Sequence, residues 1–240
     1  MHLGPYAIVD AGAFIGAGCW IEPFARIHGT VRLGRNCRVG QGAVLGGWPQ
    51  IRDFDEADLG TCVIGDDCRI GEHVTVHAAS RSDECTSISD GVFLMAAAHV
   101  GHDCELGSQA ILANAVLLGG HVRIGSGAFL GGGCAIHQNC QVGELALVAG
   151  GIPVMQDVLP WSRAMGNPVA WGRLNLLALR RAGWTSQDMA EVSGLLNLVL
   201  ESAVTLEQAI ESLVRNPSPK AATLVRFLQR SRRGLVRSRS

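Results

Sequence analysis

One aliphatic residue every six positions, held in a single phase, is the feature that most narrows what this chain can become. It runs through Val9, Ile15, Ile21, Ile27, Leu33, Val39 and Leu45. The beat resumes at Ile64, passes Ile70, Val76, Ile88, Leu94 and Val100, and marks every sixth residue to Val154. Within the second run only Ser82 stands on the beat without an aliphatic side chain. Glycine often follows directly, as at Gly16, Gly34, Gly40, Gly101 and Gly119. An amphipathic helix repeats near 3.6 and a half-buried strand at 2, so a period of six is neither. It fits a short parallel strand and a turn, repeated, with the aliphatic residue inward and glycine easing the corner. Three such units make one triangular coil. Residues 18 apart then lie one above the other, about 4.8 Å apart across a parallel rung.

Two stretches break the beat: "GWPQIRDFDEADLGT" at 47–61 and "AASRSDECTS" at 78–87. Loops leaving a rigid scaffold often carry binding residues. Arg52, Asp53, Asp55 and Glu56, packed into the first loop, point to a functional one; for the second, a functional loop and a tolerated surface insertion both stand. The repeat ends near Pro160. From Asn175 the pattern turns helical, with Thr185 before Asp188 and Thr205 before Gln208 as N-caps. The predicted fold is therefore mainly β: a parallel β-helix of hexapeptide repeats over 1–160, a transition over 161–174 and a C-terminal α-helical domain over 175–240.

Charge and cysteines exclude several classes. A formal net charge of −1 leaves no global field for nucleic acid or an anionic membrane. The charge is unevenly spread, however. From Arg173 to Arg239 there are 11 Arg and Lys against 5 Asp and Glu, a net +6, which suits an acidic protein partner or a solvated face. None of the 8 cysteines forms a CxxC pair, and small buried thiols fit better than zinc ligands or disulfides. No signal peptide and no apolar run long enough for a bilayer is evident, so a soluble cytoplasmic protein is expected.

The chemistry concentrates in "AAAHVGHDCELG", residues 96–107. Subtracting 18 places Asp103 against His121 and His102 against Gly120, which has no side chain to obstruct the imidazole. His99 lies on the same coil, and His137 and Gln138 open the hexapeptide one coil later. A carboxylate on one imidazole nitrogen fixes the tautomer and raises the basicity of the other. Such a pair suits a general base that takes a proton from a hydroxyl or amine attacking a carbonyl, with a glycine N–H facing the oxyanion. No serine or cysteine has the setting of a nucleophile, which favours direct transfer.

The segments "HVGHDCELGSQAILANAVLLGGHVRIG", "AIHQNC", "GNPVAWGRLNLLALRRAGW" and "RSRRGLV" resemble the acyl-ACP:UDP-N-acetylglucosamine O-acyltransferases, which catalyse the first step of lipid A synthesis. The resemblance spans essentially the whole chain. It implies a left-handed β-helix, a homotrimer with sites between subunits, and acyl carrier protein (ACP) as donor, received in part by the C-terminal helices. No cofactor is implied. By the resemblance, His102 is the base, Asp103 its orienting carboxylate and Gly120 the oxyanion amide. His77, His99, His121, His137 and Gln138 line the sugar and diphosphate pocket or its edge, Asn175 and Arg181 hold the nucleotide, and Met95 and Gly150 measure the acyl chain. Gln50, Arg52 and Asp53 occupy the sugar-gripping loop, where the family carries a Gln-Asp-Leu-Lys-Tyr type segment and this chain reads Gln50-Ile51-Arg52-Asp53-Phe54. Leu177 and Ala182 replace the family's acidic residue and second arginine. A different class of reading is a zinc enzyme of the γ-carbonic-anhydrase type, with His99, His102 and His121 as ligands. An acetyltransferase using coenzyme A, a related enzyme with another acceptor, and an inactive scaffold also fit a hexapeptide fold.

Overall fold

The structure, a computed structural model, describes residues 1–200 and 205–237; Glu201 and Arg239, counted in the basic tail, lie outside them. Among the described residues twenty-four short strands wind into a three-sided prism, and a twenty-fifth folds back on its end. Face I begins with His2–Leu3, Trp20–Ile21 and Arg38–Val39, face II with Ile8–Val9 and Arg26–Ile27, and face III with Phe14–Ile15 and Val31–Leu33. The chain visits I, II, III and returns to I. Every neighbour along a face is parallel. The register is 18 where the beat is regular, as in Ile21↔Val39 and Val100↔Leu118. It stretches to 31 between Leu45 and Val76 and to 24 between Ile70 and Leu94. The two interruptions are thus insertions of thirteen and six residues. Ser82 is not a failed rung: six added residues postpone the face III strand, which becomes Cys85–Ile88.

Both insertions leave the prism at one corner, the passage from face II to face III. They are stitched together there. Ala78 donates its N–H to Gly47 O at 2.8 Å, Gly60 to Ala79 O at 3.0 Å and Thr61 to Glu84 O at 3.1 Å.

Inside the prism the beat residues stack as one column per face, Ile21, Leu45, Leu94, Leu112, Leu118 and Leu130 among them at 0–1% exposure. A second buried position precedes each by two residues and is often small, as at Cys19, Ala25, Cys37, Ala43, Cys104, Ala128, Cys134 and Cys140, with valine at Val31, Val74, Val92, Val116 and Val122. The cramped corner explains the choice. Seven of the eight cysteines are buried as free thiols and Cys85 is exposed. Burial pushes the Cys62 and Cys104 thiols up to about 12, which suits packing rather than reactivity.

The prism does not stop at residue 160, as the composition suggested. Ser162–Met165 adds a parallel rung beside Leu147–Val148 on face I, and Ala170–Leu174 folds back antiparallel, so the expected transition is a β-hairpin. Among the described residues four helices follow: α1 (Leu176–Arg181), α2 (Ser186–Leu200), α3 (Leu206–Val214) and α4 (Pro219–Gln229). Thr205 and Gln208 form a reciprocal capping box, and Thr185 and Asp188 exchange the same pair of bonds at the start of α2. The tail then closes the end of the prism. Leu235 and Val236 are buried, Val236 donates to Asp157 O at 2.9 Å, and Ser231 Oγ donates to the fully buried Asp157 carboxylate at 2.7 Å.

Candidate active site

The corner that carries the insertions also carries the histidines. His77 ends a face II strand, His102, His121 and His137 follow face II strands, and His99 opens the strand just before His102. Asp103 and His121 take equivalent corner positions with φ of 59° and 58°, in the left-handed region that aspartate and histidine visit more readily than most residues. The coil arithmetic holds: His121 donates its N–H to His102 O at 2.9 Å, and His121 Nε2 lies 3.6 Å from Asp103 Oδ2.

His102 Nδ1 meets Asp103 Oδ2 at 2.5 Å, with side-chain exposures of 15% and 4%. An ionised carboxylate only accepts, so the imidazole proton resides on Nδ1 and Nε2 is left as the acceptor. Burial pushes the Asp103 carboxyl up. Hydrogen bonds from His102, from the Ser80 hydroxyl and from the Ser80 amide, with the attraction of His121, outweigh this and hold it at about 2. Ser80 N donates to Oδ1 at 3.0 Å and Ser80 Oγ to Oδ2 at 2.7 Å. The Asp103 N–H goes to the fully buried Thr86 Oγ1 at 2.8 Å. Because this acid is held below its ordinary 3.8, it contributes stability that is present above that value and lost as pH falls towards 2. The difference in urea midpoint between the wild type and Asp103→Asn is therefore expected to shrink from pH 5 to pH 2. A constant difference would contradict it.

Gly120 lies against the imidazole. A Cβ built on it would stand 2.5 Å from both His102 Cε1 and His102 Nε2. Gly119 donates its N–H to Ile136 O at 3.0 Å, whereas among the described residues no acceptor takes the Gly120 N–H. The residue that lies against the His102 ring thus keeps an unpaired amide, the kind of donor an oxyanion needs.

His77 and His99 form the neighbouring wall with ring centroids 5.1 Å apart. The Trp48 carbonyl bonds to His77 Nδ1, and His99 Nδ1 lies 2.8 Å from Thr75 Oγ1. Burial, with a neighbouring imidazole, pushes both rings below the usual histidine value. They therefore stay neutral hydrogen-bonding groups at physiological pH. His137 is half-buried and Gln138 exposed one coil on, while Gln50, Arg52 and Asp53 are exposed in the larger insertion.

Other expected residues lie elsewhere in the chain. Met95 and Gly150 are on the corner between faces I and II. Asn175 is buried, donates Nδ2–H to Leu145 O at 2.8 Å and caps α1, so its polar atoms serve the fold. Arg181 ends α1, exposed. Within one protomer the three histidines of the zinc reading do not come together, and a site shared between subunits is not described by one chain. Among the described residues the group able to hold a metal is His102, Asp103 and His121, without His99, and its carboxylate is already spent on His102. Lys220 also drops out of the free basic surface, because it bonds Asp188 at 2.7 Å and Glu191 at 2.8 Å. Ser80, Thr86, Thr75 and Trp48 were not foreseen. The available signal was that both insertions begin at the corner bearing His77.

Known proteins share this sequence pattern and fold. Residues 157–236 match the family model described as UDP N-acetylglucosamine O-acyltransferase, domain 2, and residues 12–47 match the bacterial transferase hexapeptide model. An acyl-[acyl-carrier-protein]–UDP-N-acetylglucosamine O-acyltransferase of Saccharophagus degradans is 39% identical over 99% of this chain and 93% of its own length. Its counterpart in Campylobacter concisus is 35% identical over 98% of this chain and 90% of its own length. Among solved structures, LpxA from Acinetobacter baumannii superposes with a TM-score of 0.92 at 31% identity, covering 98% of this chain and 92% of that one. The UDP-N-acetylglucosamine acyltransferase of Francisella novicida gives 0.93 at 28% identity, covering 98% and 87%.

Proposed function

The chain belongs to the acyl-ACP–UDP-N-acetylglucosamine O-acyltransferase family, and on that premise we propose how its histidine corner performs the reaction. The activity is transfer of an acyl chain from acyl carrier protein to UDP-N-acetylglucosamine, the first step of lipid A synthesis. His102 Nε2 takes the proton of the sugar hydroxyl as its oxygen attacks the thioester carbonyl. Asp103 holds Nδ1–H and balances the imidazolium that forms. The tetrahedral oxyanion faces the Gly120 N–H. On collapse the C–S bond breaks, and the imidazolium returns its proton to the departing thiolate. The reaction draws on no cofactor beyond the acyl donor. The observation that carries this reading is the 2.5 Å His102–Asp103 bond with Gly120 against the same ring.

The acyl chain is assigned to the corner between faces I and II. There Met95-Ala96-Ala97, Ala113-Asn114-Ala115, Gly131-Gly132-Gly133 and Ala149-Gly150-Gly151 lie coil above coil, a strip almost free of bulky side chains. Within one protomer, face II separates that strip from His102. The arrangement is completed if a threefold assembly brings the strip of one protomer to the histidine corner of the next. Arg181, exposed at the end of α1, would reach the nucleotide in the same way. The exposed Arg226, Arg230, Arg232 and Arg233 supply a surface for an acidic carrier protein. Among the described residues no helix is long and apolar enough to cross a membrane, and free buried thiols suit work in the cytoplasm.

Incubation with UDP-N-acetylglucosamine and a panel of acyl-ACPs, read by mass spectrometry, should show a singly acylated sugar nucleotide. Failure with every acyl-ACP would overturn the reading. Gly150→Met should move the preferred acyl chain to a shorter length in the same panel. Its Cβ would sit 2.9 Å from the backbone O of Gly132, so the coil must shift to admit it, and the urea midpoint is read beside the length profile to show that the fold survives. An unchanged length profile would remove Gly150 from the ruler.

A further inference from the structure

The smaller insertion reads as more than spare surface once its third residue is followed inward. Ser80 grips both oxygens of Asp103, its amide on Oδ1 at 3.0 Å and its hydroxyl on Oδ2 at 2.7 Å. That Oδ2 is the oxygen that accepts from His102 Nδ1. A carboxylate tied to one imidazole alone can turn about its terminal torsion, which is broad and two-fold. Tied at both oxygens, it cannot. The Asp103 side chain is 4% exposed, so water does not replace a donor that is lost. Ser80 is itself held, because its loop shares backbone hydrogen bonds with the larger insertion through Ala79 N to Thr61 O at 3.2 Å and Ala78 N to Gly47 O at 2.8 Å. The path from scaffold to chemistry therefore runs from the stitched insertions to Ser80, to Asp103, to the ring plane of His102.

We propose that Ser80 is a positioning residue for acyl transfer, its hydroxyl fixing the Asp103 carboxylate so that His102 Nε2 is aimed at the acceptor hydroxyl. The inference rests on His102 acting as the general base. The test measures kcat and both KM values for the full chain with acyl-ACP and UDP-N-acetylglucosamine. The variants are Ser80→Ala, Ser80→Thr, Asp103→Asn, the Ser80→Ala/Asp103→Asn pair and His102→Ala. Ser80→Ala is expected to lower kcat by about tenfold to a hundredfold, the range for a hydrogen bond to a charged group, with both KM values unchanged. Ser80→Thr, which restores the hydroxyl, should recover most of it. The double variant should be no slower than Asp103→Asn alone, since Ser80 acts only through that carboxylate. Wild-type kcat in Ser80→Ala, a Ser80→Thr as slow as Ser80→Ala, or multiplying losses in the double variant would each overturn the proposal. Should Ser80→Ala fail to fold, Ser80→Cys, nearly isosteric with a weak donor, carries the same comparison. The two readings fail differently. Normal turnover in His102→Ala removes the base, whereas an inactive His102→Ala beside a fully active Ser80→Ala removes only Ser80.

Discussion

His102→Ala is expected to lower kcat by ~10²–10⁴-fold, the usual loss when a general base is removed. In the proposed mechanism the imidazole has two jobs, taking the hydroxyl proton and returning it to the thiolate, and no neighbour is placed to assume both. His121 Nε2 is 3.6 Å from the shared carboxylate oxygen, but it stands on the next coil, and the ring against which a Cβ on Gly120 would press is that of His102. His99 is turned to Thr75 and His77 to the Trp48 carbonyl. The loss should fall on kcat and kcat/KM together, because the proton is in flight only in the transition state. The fold should survive. Asp103 keeps both Ser80 donors and its own N–H stays on Thr86, so the urea midpoint should move little. Turnover near the wild type, in a variant whose unfolding is unchanged, would sink the assignment.

The centre of this site was legible in the sequence because its members share an unbroken register. Between Val100 and Val142 nothing is inserted, so Asp103 and His121, or His102 and Gly120, can be superposed by counting. Ser80 and Thr86 escape the same count. Ser80 is 23 residues before Asp103, across the smaller insertion, and no multiple of six or 18 predicts how an added loop folds back. Asn175 and Arg181 lie past the last coil, where the repeat gives no positional information. A side chain of Asn before a helix is as well suited to capping as to binding, and here the cap is what the structure shows. The hairpin over 162–174 was hidden for a related reason. Its second strand is antiparallel, outside the hexapeptide rule, and Pro168 reads locally as a break.

Gly120→Ala carries the second large effect, and it isolates geometry from chemistry because every reacting group remains. The added methyl would lie 2.5 Å from His102 Nε2 and Cε1, well inside any tolerated contact. The ring cannot yield towards Asp103, which already holds it at 2.5 Å. It cannot easily carry Asp103 with it either, since that carboxylate is fastened by Ser80 at both oxygens. Relief must come from a rotation of the imidazole or a shift of the Gly120 backbone. The first moves Nε2 off the acceptor hydroxyl and the second moves the amide off the oxyanion. A displacement near 1 Å is needed for ordinary contact, and misplacement on that scale costs about 10²-fold in rate. Gly101 and Gly119 press on backbone atoms of their neighbouring coils, so alanine there would trouble the scaffold, whereas at Gly120 all three of the nearest atoms belong to the catalytic ring. The expected outcome is therefore a loss of about 10²-fold in kcat at Gly120→Ala with the urea midpoint nearly retained. A variant that unfolds early, or one that turns over at the wild-type rate, would show that this glycine serves the coil and not the reaction.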